Sequence, residues 1–460
     1  MNSQRRAWTS LDSGRAGERR AWAFPDRPGL PARPRPGNKP VSSPTHRSTS
    51  VSNGDSAMAV NPDLVIRQAR LLRRPEEQVD VAVGGGRILA LAEHVSGLAA
   101  TEIDAAGSLV TESFVNPHLH LDKVWTATLS GEASLHHYHA TRMSSSRTAI
   151  ELAAAVKDHY RQDWVAERAR RAVRLALDFG TTHMRAFADT DTRAGLQAVK
   201  ALLALREEFK GLLAIQVVAF PQQGVLRDPG AEGLVREAVE LGADVVGGIP
   251  WLEDTAADAQ RHVDAMFEIA TTFDRDVSML VDDAGDPELR TLQMLARKTI
   301  EVGWQGRVLA HHARATALYT SVELDPLLAL LREAGIGIVT DPHTGPLHVP
   351  VREMVAAGVP LALGQDDISD AYYPYGRNNM LEVAFLASHL LWMTTEEDRA
   401  RLFRMVTVDA ARLIGLQEHR LEVGAPANLV VLGAPDLLEA LREHRAPAVV
   451  ISHGKLTSRR

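Results

Sequence analysis

Two histidines one residue apart, His118 and His120, are the sharpest chemical feature of the chain. On an extended strand, residues i and i+2 face the same side, so both imidazoles reach a single cation. Further polar residues stand directly after other short apolar runs: Arg185 and Asp189, Gln222 and Gln223, Trp251 and Glu253, Asp282 and Asp283. The series continues with His311 and His312, Asp341 and His343, and Gln365, Asp366 and Asp367. Imidazoles and carboxylates are the groups that hold divalent metals and move protons near neutral pH. A purely structural scaffold has no use for them at nearly every strand end.

The elements that must position these residues are apolar runs alternating with amphipathic stretches. The runs cover residues 113–115, 182–187, 213–220, 244–249, 277–281, 307–310, 336–340 and 360–363. Between them, segments such as 192–208, 231–241, 256–272 and 287–302 show helical spacing with charged outer faces. Eight near-continuous apolar strands alternating with helices predict an α/β fold, a parallel sheet closed into a (β/α)8 TIM barrel. In such a barrel chemistry sits at the C-terminal ends of the strands, where the polar residues fall. A doubly wound open sheet is the competitor; binding a dinucleotide would need a Gly-rich phosphate turn, and Gly84-Gly85-Gly86 lies in the wrong context for one. Residues 64–67, 79–83 and 88–91 read as antiparallel strands with tight turns, as do 429–432 and 449–452. The two flanks are therefore expected to pair as one small composite β-domain.

The domain boundaries expected are 1–57 for an extension, 58–112 and 416–460 for the two parts of the β-domain, and 113–415 for the barrel. Residues 1–57 hold seven of the 23 prolines and ten Lys or Arg against four acids. Without apolar periodicity they cannot offset chain entropy, and a disordered extension is expected. Their Arg- and Ser-rich, acid-poor composition also resembles a transit peptide. The 460 residues carry a formal charge of −7, and without the first 57 the balance is 41 basic to 54 acidic residues, or −13. An acidic body argues against a nucleic-acid partner. No apolar run approaches the ~20 residues needed to cross a bilayer, so no membrane partner is expected. The chain lacks Cys, which excludes thiolate zinc sites, disulfides and cysteine nucleophiles and fits a cytoplasmic location.

Several of these residues have their own alternatives. Trp251 either stacks on a planar ring or packs at the barrel mouth, and Glu253 either binds an amidine or is a solvated charge. Lys123 and Arg185 either hold an anionic substrate or pair with Asp122 and Asp189.

Asn116-Pro117-His118-Leu119-His120-Leu121-Asp122 resembles the metal-binding strand of the amidohydrolase superfamily. The chain is similar to its cytosine deaminase branch in residues 218–224, 241–247, 306–312, 364–367 and 373–381 as well, collinearly from about Asp63 to Lys455. The resemblance implies one divalent metal ion, zinc or iron with manganese as a further option. His118 and His120 match the strand-1 ligands, and Asp366 matches the strand-8 carboxylate that holds the metal and deprotonates the attacking water. Gln222 matches a substrate-binding glutamine, and His312 matches the histidine that orients or polarises the reacting carbon. Asp367 is read as supporting Asp366, and His311 as pointing the opposite way from His312. No lysine ends strand 4, which argues against a carbamate-bridged pair of metals.

One departure stands out. Where these deaminases end strand 5 with a histidine ligand and then a proton-shuttling glutamate, this chain has Leu280 and Asp283. Leucine cannot bind a metal, so Asp282, Asp283 or His312 replaces the lost ligand, or the site is three-coordinate. Asp283 is the expected acid for the leaving nitrogen, with return of the proton from Asp366 as the fallback. The function implied is metal-dependent hydrolysis of a C–N bond in a small nitrogen heterocycle, foremost deamination, with Trp251 among the substrate-binding residues. Hydrolysis of a cyclic amide or an N-alkylamine, or a catalytically reduced barrel kept as a small-molecule binder, are the alternatives. The resemblance also suggests a homo-oligomer.

Overall fold

The computed structural model describes residues 62–460 apart from residues 98 and 139–142, so the extension expected over 1–57 lies outside the described residues. After the first flank, β1 (Leu64–Leu71), β2 (Arg74–Gly84), β3 (Arg87–Ala92), β4 (Thr101–Asp104) and β5 (Leu109–Glu112), the chain enters the barrel. Its eight strands are β6 (Phe114–Leu119), β7 (Thr181–Asp189), β8 (Ala214–Phe220), β9 (Val245–Gly248), β10 (Asp276–Val281), β11 (Val308–His312), β12 (Gly337–Thr340) and β13 (Leu361–Leu363). They run parallel in chain order, and nearly every residue in them is buried because helices cover the outer face. Closure comes from a parallel bridge between Leu119 and Asp366. There Asp366 N donates to His118 O (2.9 Å) and His120 N to Asp366 O (2.8 Å). The closing seam is thus built from the residues expected to do the chemistry.

The second sheet joins both flanks of the chain. β14 (Leu429–Val431) pairs antiparallel with β5 and with β15 (Val449–Ser452), and β16 (Lys455–Arg459) forms the edge. It has its own core, in which Ile66, Val81, Val83, Ile103, Leu429 and Ile451 meet. The strands expected over 64–67, 79–83 and 88–91 pair antiparallel in chain order, and β4 and β5, which the pattern did not mark, add parallel partners. β1 pairs antiparallel with β2 but parallel with both β4 and β5, because the chain returns after β3 to run beside β1 in the same direction.

The longest barrel connection joins β6 to β7 through the helices Ala127–Tyr138, Met143–Ala153 and Gln162–Asp178. The last of these buries Val165, Ala169, Ala172, Val173 and Ala176 against the barrel. The first two deliver Tyr138, Ser146 and Ile150 to the barrel mouth, beside His120, Gln222 and His312.

Candidate active site at the barrel mouth

Strand 1 is anchored before its histidines begin. Asn116 Oδ1 accepts from His118 N and from Gln365 N, each at 3.2 Å, and its amide donates to Asn378 Oδ1 (3.0 Å). One buried side chain therefore ties the first strand to the eighth and sets His118 against Asp366. His118 Nε2 lies 2.9 Å from Asp366 Oδ1, with His120 Nε2 at 3.8 Å and His312 Nε2 at 4.0 Å from the same oxygen. All four side chains are buried. Burial pushes His118 and His120 well below the usual histidine range, helped by His312 beside His118 and by the Lys123 ammonium beside His120. Both are neutral imidazoles, the form that ligates metals.

Among the described residues, two of the clusters whose donor atoms all lie within 4.8 Å of one another are His118, His312 and Asp366, and His120, Asp366 and Asp367. These nitrogen and oxygen donors fit a divalent ion. A third such cluster, His120, Asp122 and Asp189, already holds a cation: Lys123 Nζ is 2.9 Å from Asp189 and 3.8 Å from Asp122.

His311 corrects the expectation that it turns away. Its Nδ1 lies 2.7 Å from His118 Nδ1, so it orients the ring whose other nitrogen faces Asp366. The reason is that β11 ends in a left-handed turn, with φ of 66° at His312 and 47° at Ala313. That twist swings His312 to the mouth while His311 keeps its inward strand position. His312 Nδ1 then bonds Asp341 (3.0 Å). Burial disfavours its charge, but Asp283, Asp341 and Asp366 outweigh burial and raise it to about 9. Burial and the neighbouring Asp341 carboxylate raise Asp366 to about 8.

Strand 5 behaves differently. Leu280 joins Val218, Phe220, Ile249 and Trp251 in an apolar cluster. Asp282 cannot replace the missing ligand, because its carboxylate accepts from Thr291 N (2.7 Å), Thr291 Oγ1 (2.6 Å) and Leu292 N (3.2 Å). It caps the helix Thr291–Glu301. Asp283 borders the pocket but belongs to none of the donor clusters. It is ion-paired with Arg314 (2.9 Å).

Gln222 borders the same pocket, and its Oε1 accepts from Lys123 Nζ (3.0 Å), while its NH2 end makes no hydrogen bond among the described residues. Lys123 is thus a structural partner of Asp189 and Gln222. Arg185 is no anion receptor at the mouth: it lies inside the barrel on Gln216 and Ser278, each at 2.9 Å, and points to Asp276 at the strand start (3.6 Å). Glu253 is equally committed. It accepts from the backbone N–H groups of Val225, Leu226 and Arg227 (2.7–3.1 Å) and from His262 Nδ1 (2.8 Å), clamping the loop that carries Gln222. Gly224 makes this clamp possible, with φ of 85° and room for no Cβ beside Glu253 Oε1 (2.8 Å). Trp251 is packed in the apolar cluster, borders the pocket and has an unpartnered Nε1–H.

Arg314 and Tyr138 had no place in the sequence reading, and Asp341 had no role in it. Nothing in their local spacing marks them, since their partners come from other strands.

Residues 101–457 match the Amidohydrolase family. The chain belongs to that family. It is 31% identical to N-isopropylammelide isopropyl amidohydrolase of Pseudomonas sp. strain ADP, over 87% of this chain and 98% of that protein. It superposes on 5-methylcytosine deaminase of Klebsiella pneumoniae with a TM-score of 0.78 and 30% identity, covering 86% of this chain and 97% of the other. N-isopropylammelide isopropylaminohydrolase of Burkholderia multivorans gives a TM-score of 0.74 and 29% identity over 86% and 98% of the two chains. As a member of this family the protein is a hydrolase of carbon–nitrogen bonds other than peptide bonds. Among the described residues, no helix is long and apolar enough to cross a membrane.

Proposed function

We propose that the protein is a metal-dependent hydrolase that releases ammonia or an amine from a small nitrogen heterocycle. The observation that carries this reading is the convergence of His118, His120 and His312 on one carboxylate, Asp366, in a pocket that also holds Gln222. His118, His120 and Asp366 would hold zinc, iron or manganese. When bound, a divalent ion lowers the pKa of water and polarises the carbon under attack.

The chain's own residues do the rest. Gln222 presents its NH2 to an acceptor on the ring, and Trp251 offers its indole N–H and ring face. Asp366, ionised once a cation at its oxygens offsets the burial and the Asp341 charge that raise it, takes a proton from the attacking water as the C–O bond forms at an sp² carbon bearing nitrogen. His312, kept cationic by Asp341, Asp283 and Asp366, donates towards the charge that develops on the ring. The proton held by Asp366 passes to the leaving nitrogen, directly or through Asp283, and the C–N bond breaks. Atoms balance: water supplies the hydroxyl of the product and the proton of the amine.

A second reading, loss of an alkylamine, is favoured by the apolar wall of Leu280, Ile249, Trp251 and Ile150. An N-alkyl group packs there where an imidazole ligand would have been. The relatives from Pseudomonas and Burkholderia, named for isopropyl substrates, agree with this.

The test is amine release from a panel of amino- and alkylamino-pyrimidines, triazines and pterins, with protein loaded separately with zinc, iron(II) or manganese. Release from at least one, lost in Asp366→Asn, is expected. One metal per chain with no release from any, while a panel member still binds, would replace the hydrolase reading with that of a binder.

A further inference from the structure

The Arg314 guanidinium lies among three carboxylates: 2.9 Å from Asp283, 3.4 Å from Asp341 and 3.8 Å from Asp366. It also donates to Thr344 Oγ1 (2.7 Å) and to the Tyr138 hydroxyl. Thr344 Oγ1 in turn donates to Asp366 Oδ2 (2.8 Å). The guanidinium occupies a built cradle. A Cβ on Gly345 would stand 3.0 Å from its Cζ and 3.1 Å from Nη1, although the Gly345 backbone conformation suits any residue. Glycine is needed there for the arginine.

This cation bears on the missing strand-5 ligand. Asp282 is committed to its helix cap, and the carboxylate left on that strand is Asp283. Beyond the ion pair with Arg314, Asp283 Oδ1 has no hydrogen-bond partner. A buried carboxylate whose contact among the described residues is this ion pair, to a guanidinium shared with Asp366, would turn to a divalent ion if the arginine released it.

We propose that Arg314 is a positioning residue that holds Asp283 off the metal. It keeps the centre without a strand-5 ligand and leaves Asp283 available for proton transfer. This rests on the metal-centre reading above, and the test separates the two.

Cobalt(II) alone is the probe, because its visible spectrum reports coordination number without need of a substrate. The full-length wild type is compared with Arg314→Met, Asp283→Asn and the double variant, with folding checked by circular dichroism. Arg314→Met is expected to gain Asp283 as a ligand, which lowers and shifts the cobalt bands and tightens binding about tenfold. The double variant returns to the wild-type spectrum, and Asp283→Asn alone leaves it unchanged. A tighter affinity with an unchanged spectrum would reflect only the lost positive charge and would overturn the proposal. So would an altered spectrum that persists in the double variant. Should Arg314→Met fail to fold, Gly345→Ala displaces the guanidinium without removing it and is expected to shift the bands the same way; an unchanged spectrum there overturns the proposal. Wild type that binds no cobalt would instead sink the metal-centre reading itself.

Discussion

The first and fifth strands of this barrel end on the same pocket and have been put to opposite uses. Strand 1 presents two neutral imidazoles aimed at Asp366, and His118 is braced from behind by His311. Strand 5 presents a leucine, a carboxylate spent on a helix cap and a carboxylate tied to an arginine. A metal ligand must be in the right protonation state, have a free donor atom and be aimed at the ion. His118 on strand 1 meets all three conditions. On strand 5 each residue fails one, and the failures are enforced by neighbours.

The largest effect that tests this contrast comes from His118→Ala, which should weaken metal binding at least about a hundredfold, as removal of a ligand does more than the ~10–100-fold of a supporting group. Leu280→Ala is the matched change on strand 5 and should leave metal content at the wild-type level. Elemental analysis after dialysis against a chelator reads both. Equal losses would mean that strand 5 supports the metal after all. Next comes Asp282→Ala, expected to cost about 2 kcal/mol in chemical denaturation by stranding the buried N–H groups of Thr291 and Leu292, with metal content unchanged. A loss of metal with intact stability would reverse the assignment of Asp282.

How much of this was legible in the sequence follows from which interactions are local. Parallel strands buried on both faces read as unbroken apolar runs, and all eight lie within a few residues of the expected places. The pair His118 and His120 was legible because period-two geometry needs no tertiary information. Asp366, His312 and Gln222 came from resemblance, and the structure brings them to one pocket. Arg314 was invisible because its partners Asp283, Asp341 and Asp366 are scattered over some 80 residues of sequence and meet only when the barrel closes. His311 and Arg185 were misread for a related reason. Strand alternation gives a face, but the left-handed turn at His312 and the depth of Arg185 within the barrel are tertiary properties. The parallel partners of β1 were likewise set by a returning chain and not by any pattern within the strand.

A middle-sized effect sharpens the view of strand 1. His311→Ala removes the group behind His118 without touching a donor atom, so metal affinity should fall about tenfold while stoichiometry stays at one. Competition with a chromophoric chelator measures this. Unchanged affinity would make His311 a packing residue only.

The smallest expected effect concerns Glu253, which acts on the pocket at one remove by holding the Gln222 loop. Burial opposes its charge, yet the bond from His262 and the backbone N–H groups of Val225 and Leu226 keep it below the ordinary glutamate value of 4.5. A depressed folded value means that the unfolded chain takes up protons first as the pH falls. The contribution of Glu253 is therefore complete above the unfolded value and fades as the pH drops through the folded one. Glu253→Gln keeps an acceptor but removes the charge, so it should lower stability by about 1 kcal/mol at pH 7. The gap between variant and wild type should close in the acid range, where wild-type Glu253 is itself protonated. Melting curves of both proteins from pH 7 down to the acid limit of folding give the difference directly. A gap that stays constant with pH would show that the carboxylate charge is not what clamps the loop, leaving shape and the Gly224 turn to hold Gln222 in place.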